Sequence, residues 1–387
     1  MTQDLNATEA EQAEVTERHA NNLELFLDIV FVFAITQIAS FISHHPGGSG
    51  VAKGALLAFL VWWQWSQFTW AGSAINLQQV VVTRVLVLCL MPVTLLMTIA
   101  IPEAFDHDAV WFGAAYLAVQ LVVLGITGSQ ALRSAVTRPG YIRYASVVSV
   151  APVLVFIGAF LHDDWRLSAW IVAAVLNIIG ALRATKSEWT INSVHFAERH
   201  SLFIIISLGE VLIAAGASAT EVGLNRGTAL AILVSVGLAC VLWWTYFAYI
   251  PEVVERALRE ATPAQRGVLA RDLFSFGHFP LAFGLVLYAV VVKHIVPHPY
   301  GPLASDDRWL LGSAVAAFVG GLLVLRLRIS RQVAWPRLLI VVAVAALCVL
   351  GGRLPGLVFV GGVALLVGAM QGYSVHKYGA ANSPAPS

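Results

Sequence analysis

Ionisable side chains lie inside stretches of this chain that are otherwise apolar. Glu24 and Asp28 stand four residues apart in one such stretch, so on a helix they would share a face. A charge at the centre of a bilayer costs at least about 2.5–3.5 kcal/mol, so each needs a partner or water. The residues that could form a charge network or a pathway for an ion or solute are Glu24, Asp28, Arg84, Glu198, Arg199, Glu210, Arg271 and His278.

The depths of these residues predict partners. Asp28 is expected to pair with Arg84, and Glu210 with His278 or Arg271. Glu24 would lie nearest the membrane surface, where water solvates it. Two interpretations stay open: an ion, proton or polar-solute pathway, or buried ion pairs that fix helix register.

Other kinds of chemistry have no support in the motifs. His195, Glu198 and His200 would spread around a helix, and the sequence has no H-E-x-x-H and no Cys/His cluster, so we expect no metal site. Without a P-loop or a dinucleotide fingerprint, we expect no cofactor and no ATP-driven pumping. The three cysteines fall in apolar runs and are expected to be small buried hydrophobes: Cys89, Cys240 and Cys348.

The elements that would hold these residues are membrane-spanning helices. Of 387 residues, 58% are apolar and only 12% are charged, about half the charged share of a soluble domain. A span needs about 20 mostly apolar residues. Residues 251–260 pair opposite charges at i,i+4 and are expected to form a surface helix. Twelve spans are predicted, at about 24–43, 51–71, 80–101, 109–131, 143–161, 167–184, 201–219, 227–250, 272–292, 308–325, 335–352 and 355–372.

The positive charges predict orientation. Loops on the side of the N-terminus hold sixteen Lys and Arg residues, against six on the opposite side. Positively charged loops stay in the cytoplasm, so both termini are expected there. No basic segment precedes the first apolar run, so no cleavable signal peptide is expected.

Landmarks in the two halves recur in the same order. Glu-Arg-His precedes both the first and the seventh helix, an acid follows in each, and then come a Trp pair, Arg with Pro, and a Trp. Six helices per half is an even number, so a duplication would be parallel, about an axis along the membrane normal. The predicted division is an acidic cytoplasmic segment 1–23, repeats 24–186 and 187–372, and a disordered cytoplasmic tail 373–387.

Two segments carry a family resemblance. Residues 24–37 (ELFLDIVFVFAITQ) and 195–210 (HFAERHSLFIIISLGE) resemble the signatures of the bacterial low temperature requirement protein A (LtrA) family. The resemblance implies a multi-spanning protein of the bacterial inner (plasma) membrane, from a family named for growth in the cold. The motif acids fall on Glu24, Asp28, Glu198 and Glu210, and the motif base on Arg199. Residues 24–36 also resemble the first helix of certain six-helix potassium channels, but Leu27 and Ile29 replace the Ser and Gly of that motif.

The sequence therefore favours a transporter or channel for a small ion or polar solute. Two alternatives remain: a membrane-embedded enzyme for a lipid or polyprenyl substrate that uses Glu24 and Asp28, and a stress-related protein without turnover. The expected partners are the lipid bilayer and an unidentified small ion or solute, with no nucleic acid. The sequence predicts no oligomeric state.

Overall fold

The computed structural model describes residues 19–75, 77–184, 189 and 191–379, and these residues form helices and short connections with no β-strand. A π-helical turn, Arg271–Phe276, separates the α-helix Pro263–Ala270 from the α-helix Phe279–Ile295. The α-helices are α1 (Asn22–His44), α2 (Gly48–Ala74), α3 (Val81–Ile99), α4 (Ala109–Ala131), α5 (Arg138–Val148), α6 (Val150–Gly158), α7 (Asp163–Arg183), α8 (Ser193–Val222), α9 (Arg226–Phe247), α10 (Ile250–Glu260), α11 (Pro263–Ala270), α12 (Phe279–Ile295), α13 (Ser305–Ser330), α14 (Trp335–Leu350) and α15 (Gly356–Gly379).

Ten helical segments of the described chain are long and apolar enough to span a membrane. In that count α5–α6, α9–α10 and α11–α12 are each one continuous segment. The chain is thus an all-helical, multi-spanning membrane protein, as the sequence predicts. The two predicted spans outside the ten are α2, which is 27 residues long, and α14, an apolar helix of 16 residues.

The polar connection predicted before the seventh span is partly helical. The side chain of Asn192 accepts a hydrogen bond from the His195 N–H and starts α8 at Ser193, not near residue 201. Glu198 and Arg199 therefore lie inside a helix of 30 residues. Arg199, counted among the loop charges in the sequence, is fully buried.

The surface helix expected at 251–260 is present as α10, with Glu255 and Arg259 3.0 Å apart. The cysteines differ from expectation, since only Cys348 is buried, while Cys89 and Cys240 are exposed. Residues 1–18, most of the predicted acidic segment, lie outside the described residues. So does the predicted tail from residue 380 onward.

The core lies where the predicted halves meet. There α1 and α2 pack against α8 and α12, and α3 and α13 flank them. The π-helical turn is held in this core by α2, because Ser275 accepts hydrogen bonds from Trp62 and Trp70 and from the hydroxyl of Ser66. Such turns disturb the regular helical hydrogen bonds and occur frequently at functional sites.

Candidate functional site

A buried acid helps to cap the start of α1. The side chain of Asn21 accepts from the N–H groups of Leu23 and Glu24, and Glu24 in return accepts from the Asn21 N–H at 3.1 Å. Both carboxylate oxygens of Glu24 also lie 3.0 Å from Nε2 of His195 on α8. Glu24 is 1% exposed, so the expectation that water solvates it is wrong.

One turn further along α1, Asp28 binds a fully buried arginine. The Arg199 guanidinium donates to both carboxylate oxygens, with Nη2 2.9 Å from Oδ1, and the Trp65 indole N–H donates to Oδ1 at 2.9 Å. The guanidinium carbon also lies 5.5 Å from the Trp65 ring centroid. Paired donors and a cation–π contact are the arrangement that suits arginine in a buried site. We call Glu24, Asp28, His195 and Arg199 the Asp28 layer.

Glu198 lies at the edge of this layer. Its carboxylate accepts from the backbone N–H of Ala20 at 2.8 Å and contacts Nδ1 of His19 at 3.3 Å. The Glu198 side chain is 36% exposed, so among the motif acids this one is in contact with water. It joins the start of α8 to the segment that leads into α1.

Two histidines lie beside the Asp28 layer. His278 Nδ1 donates to the Leu273 carbonyl, and its Nε2 accepts from the Tyr246 hydroxyl, both at 2.8 Å. His200 Nδ1 donates to the Phe196 carbonyl at 2.8 Å, and its Nε2 has no hydrogen-bond partner among the described residues. The two imidazole rings are 5.3 Å apart and fully buried.

Glu210 forms a second charged layer toward the end of α1. Thr36 on α1 donates its hydroxyl to Glu210 Oε2, and Lys293 Nζ on α12 lies 3.8 Å from Oε1. Glu210 is fully buried, and within the described structure its Oε1 accepts no hydrogen bond. We call Thr36, Glu210 and Lys293 the Glu210 layer.

The two layers are separated by apolar packing. Asp28 and Thr36 are eight residues apart on α1, about 12 Å along the helix axis. Between them, α1 contributes Phe31 and Ile35 to the core, and α8 contributes Phe203, Ile204 and Leu208. The one polar side chain of α8 between Arg199 and Glu210 that is fully buried apart from His200 is Ser207, whose hydroxyl is bound to the Phe203 carbonyl, so the packing that separates the layers on these two helices is mainly apolar.

A third polar group lies beyond the Glu210 layer. His294 Nδ1 donates to Asp307 at 2.6 Å, and its Nε2 accepts from the hydroxyl of Ser43 at 2.9 Å. His294 and Asp307 line a cavity of about 340 Å³ between the ends of α1 and α12 and the start of α13. The His294 side chain is 33% exposed, so this group lies at the surface, one residue after Lys293 of the Glu210 layer.

The contacts change the predicted pairings. Arg84 is exposed on α3, and Asp28 pairs with Arg199 instead. Glu210 pairs with Lys293, whereas His278 binds Tyr246 and Arg271 binds Asp272. The position of a charged residue along the sequence indicates its depth in the membrane, but it does not show which helices are neighbours. The neighbouring helices decide which charges pair. The polar and aromatic residues that lie in or beside these layers, and that were not predicted to belong to the charge network, are Thr36, Trp65, His195, His200, Lys293, His294 and Asp307.

No group of three or more His, Cys, Asp or Glu side chains is close enough to hold a metal ion within the described chain. The arrangement is instead a series of acid–base pairs along one helix interface. Such pairs can hold or exchange single positive charges.

A protein-family model described as bacterial low temperature requirement A protein (LtrA) matches residues 19–371. The chain is also similar to an uncharacterized protein of Rhizobium meliloti (strain 1021). The two are 29% identical over 291 residues, which cover 72% of this chain and 69% of that protein. No solved structure matches.

Proposed function

Because the chain belongs to the bacterial low temperature requirement A (LtrA) family, whose motif acids lie in one helix interface, we propose that it is a transporter or channel for a small ion. The proposed pathway follows the contact between α1, α8 and α12 in a bacterial inner membrane. Along it lie the Asp28 layer, the Glu210 layer and the His294–Asp307 pair. The observation that carries the proposal is this succession of acid–base pairs where α1, α8 and α12 meet, continued by the partly exposed pair of His294 with Asp307 at the start of α13.

The energetics of burial support a pathway. Three acids buried in apolar helices are costly, and a purely structural interface is built more cheaply from apolar residues. The apolar packing between the two layers keeps them apart, so the conformation corresponds to a closed state. Alternating exposure of the Glu210 layer to either side would then move an ion across the membrane.

Helix directions support twelve spans. The residue numbers rise along both helices through three successive contacts, so α1 and α8 run parallel. These contacts are Glu24–His195, Asp28–Arg199 and Thr36–Glu210. If the other predicted spans between α1 and α8 cross the membrane, this parallel direction needs an even number of crossings before α8, which supports α2 as a further span. Positions 361 and 368 on α15 approach positions 234 and 241 on α9, so these helices are also parallel, which in the same way supports α14 as a span.

The same directions support a parallel duplication. In the first predicted half α1 contacts α2 and α3, and α2 contacts α7. In the second predicted half the corresponding helices make the same contacts: α8 contacts α9 and α12, and α9 contacts α15. The Trp landmarks differ in their surroundings, because Trp62 and Trp63 are buried while Trp243 and Trp244 are about half exposed. When the buried Arg199 is left out, the predicted loops on the side of the N-terminus hold fifteen Lys and Arg residues, and the opposite loops hold six. This bias, together with an even number of spans, favours a cytoplasmic location of both termini.

The enzyme alternative has less support. Asp28 is 3% exposed, and both its carboxylate oxygens are already bound by Arg199. A general acid or base must reach its substrate within hydrogen-bond distance. Asp28 would have to lose its arginine first.

Flux measurements test the proposal. The full chain is reconstituted in liposomes, and uptake of Na⁺, K⁺, Li⁺ and protons is followed under an ion gradient and under a membrane potential. We expect at least one of these ions to move faster than in empty liposomes. If none does, the chain is not a transporter or channel for these ions.

A further inference from the structure

Only one of the two carboxylate oxygens of Glu210 accepts a hydrogen bond from the described residues. Thr36 binds one oxygen, and the other, Oε1, accepts no hydrogen bond from the described residues. Lys293 Nζ lies 3.8 Å from Oε1, which is near enough for charge attraction but too far for a hydrogen bond. Glu210 is fully buried, so its charge is neutralised mainly by this ammonium.

Lys293 is placed to leave this position. It lies two residues before the end of α12 and its side chain is 22% exposed, whereas Glu210 is 0% exposed. A second acid, Glu221, follows one turn after Ser218 on α8, whose hydroxyl lies 3.5 Å from the Lys293 backbone carbonyl, and its charge attracts the same ammonium. Glu221 is exposed near the end of α8, so the flexible lysine can exchange a buried carboxylate for a solvated one.

From this geometry we infer that Glu210 and Thr36 form a binding site for a single monovalent cation, and that Lys293 is a tethered cation that fills it when no ion is bound. The inference rests on the proposed function and specifies its substrate class. Arrival of an ion and departure of Lys293 leave the buried charge balanced. Release of the ion draws the lysine back.

The donor set limits the ion. The site offers one carboxylate and one hydroxyl, while Ca²⁺ takes six to eight oxygen ligands and Mg²⁺ keeps near-octahedral geometry. One positive charge neutralises Glu210. A proton and an alkali metal ion share this property, and the experiment separates them.

Thermal unfolding of the purified full chain measures binding. Na⁺ and K⁺ are titrated at constant pH and ionic strength against N-methyl-D-glucamine, and protons are titrated at constant salt. In Lys293→Gln the competing cation is gone. We expect half-maximal stabilisation at a concentration of Na⁺, K⁺ or protons at least about tenfold lower than in the wild type, which corresponds to about 1.4 kcal/mol.

Two variants serve as controls. Lys53→Gln removes another lysine, which contacts Phe105 near the same end of the bundle, and should titrate like the wild type. Glu210→Gln removes the site and should abolish the stabilisation. An unchanged titration in Lys293→Gln, stabilisation that persists in Glu210→Gln, or equal stabilisation by Mg²⁺ would each overturn the inference.

A measurement on the unmodified protein does not depend on how the variants fold. An amine-reactive, membrane-impermeant reagent labels lysines, and mass spectrometry quantifies each site. The labelling of Lys293 is normalised to that of Lys53. If a metal ion stabilises the protein, normalised labelling should rise with the concentration of that ion at constant pH. If protons stabilise it, normalised labelling should rise on moderate acidification. If the normalised labelling of Lys293 stays constant, the lysine is not displaced and the inference is wrong. If ion flux is present in the same protein, the proposed function as a transporter or channel still stands.

Discussion

Arg199 on α8 donates to both carboxylate oxygens of Asp28 on α1, and both residues are buried. The pair joins α1, the first helix of one predicted half, to α8, the first helix of the other. Together with Thr36 and Glu210 it fixes the parallel direction of α1 and α8. The interface between α1 and α8 is therefore charged at two levels and mainly apolar between them.

Breaking the Asp28–Arg199 pair should destabilise the protein. Asp28→Asn leaves a buried guanidinium without its counter-charge, which typically costs about 3–5 kcal/mol. The double variant Asp28→Asn, Arg199→Gln removes both charges and should recover much of this loss. Unfolding of each purified variant in the same detergent measures the effect.

Arg84→Gln serves as the matched control for Arg199→Gln. Arg84 is exposed on α3, so its loss should change the unfolding temperature little. Equal destabilisation by the two arginine variants would contradict the assignment of Arg199 as the partner of Asp28.

Gly72 is required by the close approach of α2 to α1. A Cβ at this position would lie 2.0 Å from Glu24 Oε1, and that carboxylate is held in place by His195 and the Asn21 N–H. Gly72→Ala should therefore destabilise the protein by about 1–3 kcal/mol, as overpacking does.

Gly125→Ala provides the comparison, since a Cβ there meets nothing within 4 Å. Its unfolding temperature should equal or slightly exceed that of the wild type, because alanine favours a helix over glycine. If Gly72→Ala is as stable as Gly125→Ala, the packing of Glu24 between α1, α2 and α8 is wrong.

The sequence predicts the helices well because apolar length is a local property. Most predicted spans coincide with a described helix to within a few residues. The main exception is α8, where Asn192 starts the helix eight residues early, and the low mean apolarity of the polar connection concealed this. The cap could have been recognised from Asn192 followed by a helix-compatible run.

The pairing of charges could be predicted only in part. Every residue of the Asp28 layer except His195 was predicted from the sequence to belong to a charge network, because intramembrane charges are conspicuous; His195 was considered only as a metal ligand. Their partners lie on helices more than 150 residues away, so depth alone could not choose between Arg84 and Arg199. Lys293 escaped notice because it lies near the end of a helix, where lysine is ordinary.

Topology can be tested with reporter fusions. If α2 and α14 both cross the membrane, fusions of a reporter active only in the cytoplasm should give signal at both ends of the chain. A fusion in the connection at 45–47, between α1 and α2, should stay silent. Signal at one terminus only would mean an odd number of spans and would remove the parallel duplication.

The most direct test of the proposed pathway compares two acids of the family motifs. Glu210 is fully buried between α1, α8 and α12, whereas Glu198 is 36% exposed at the edge of the bundle. Ion flux per folded molecule is measured in proteoliposomes for Glu210→Gln and Glu198→Gln. We expect Glu210→Gln to reduce flux at least about tenfold, equivalent to about 1.4 kcal/mol, and Glu198→Gln to retain most of it. Full flux in folded Glu210→Gln would contradict an ion pathway through the Glu210 layer.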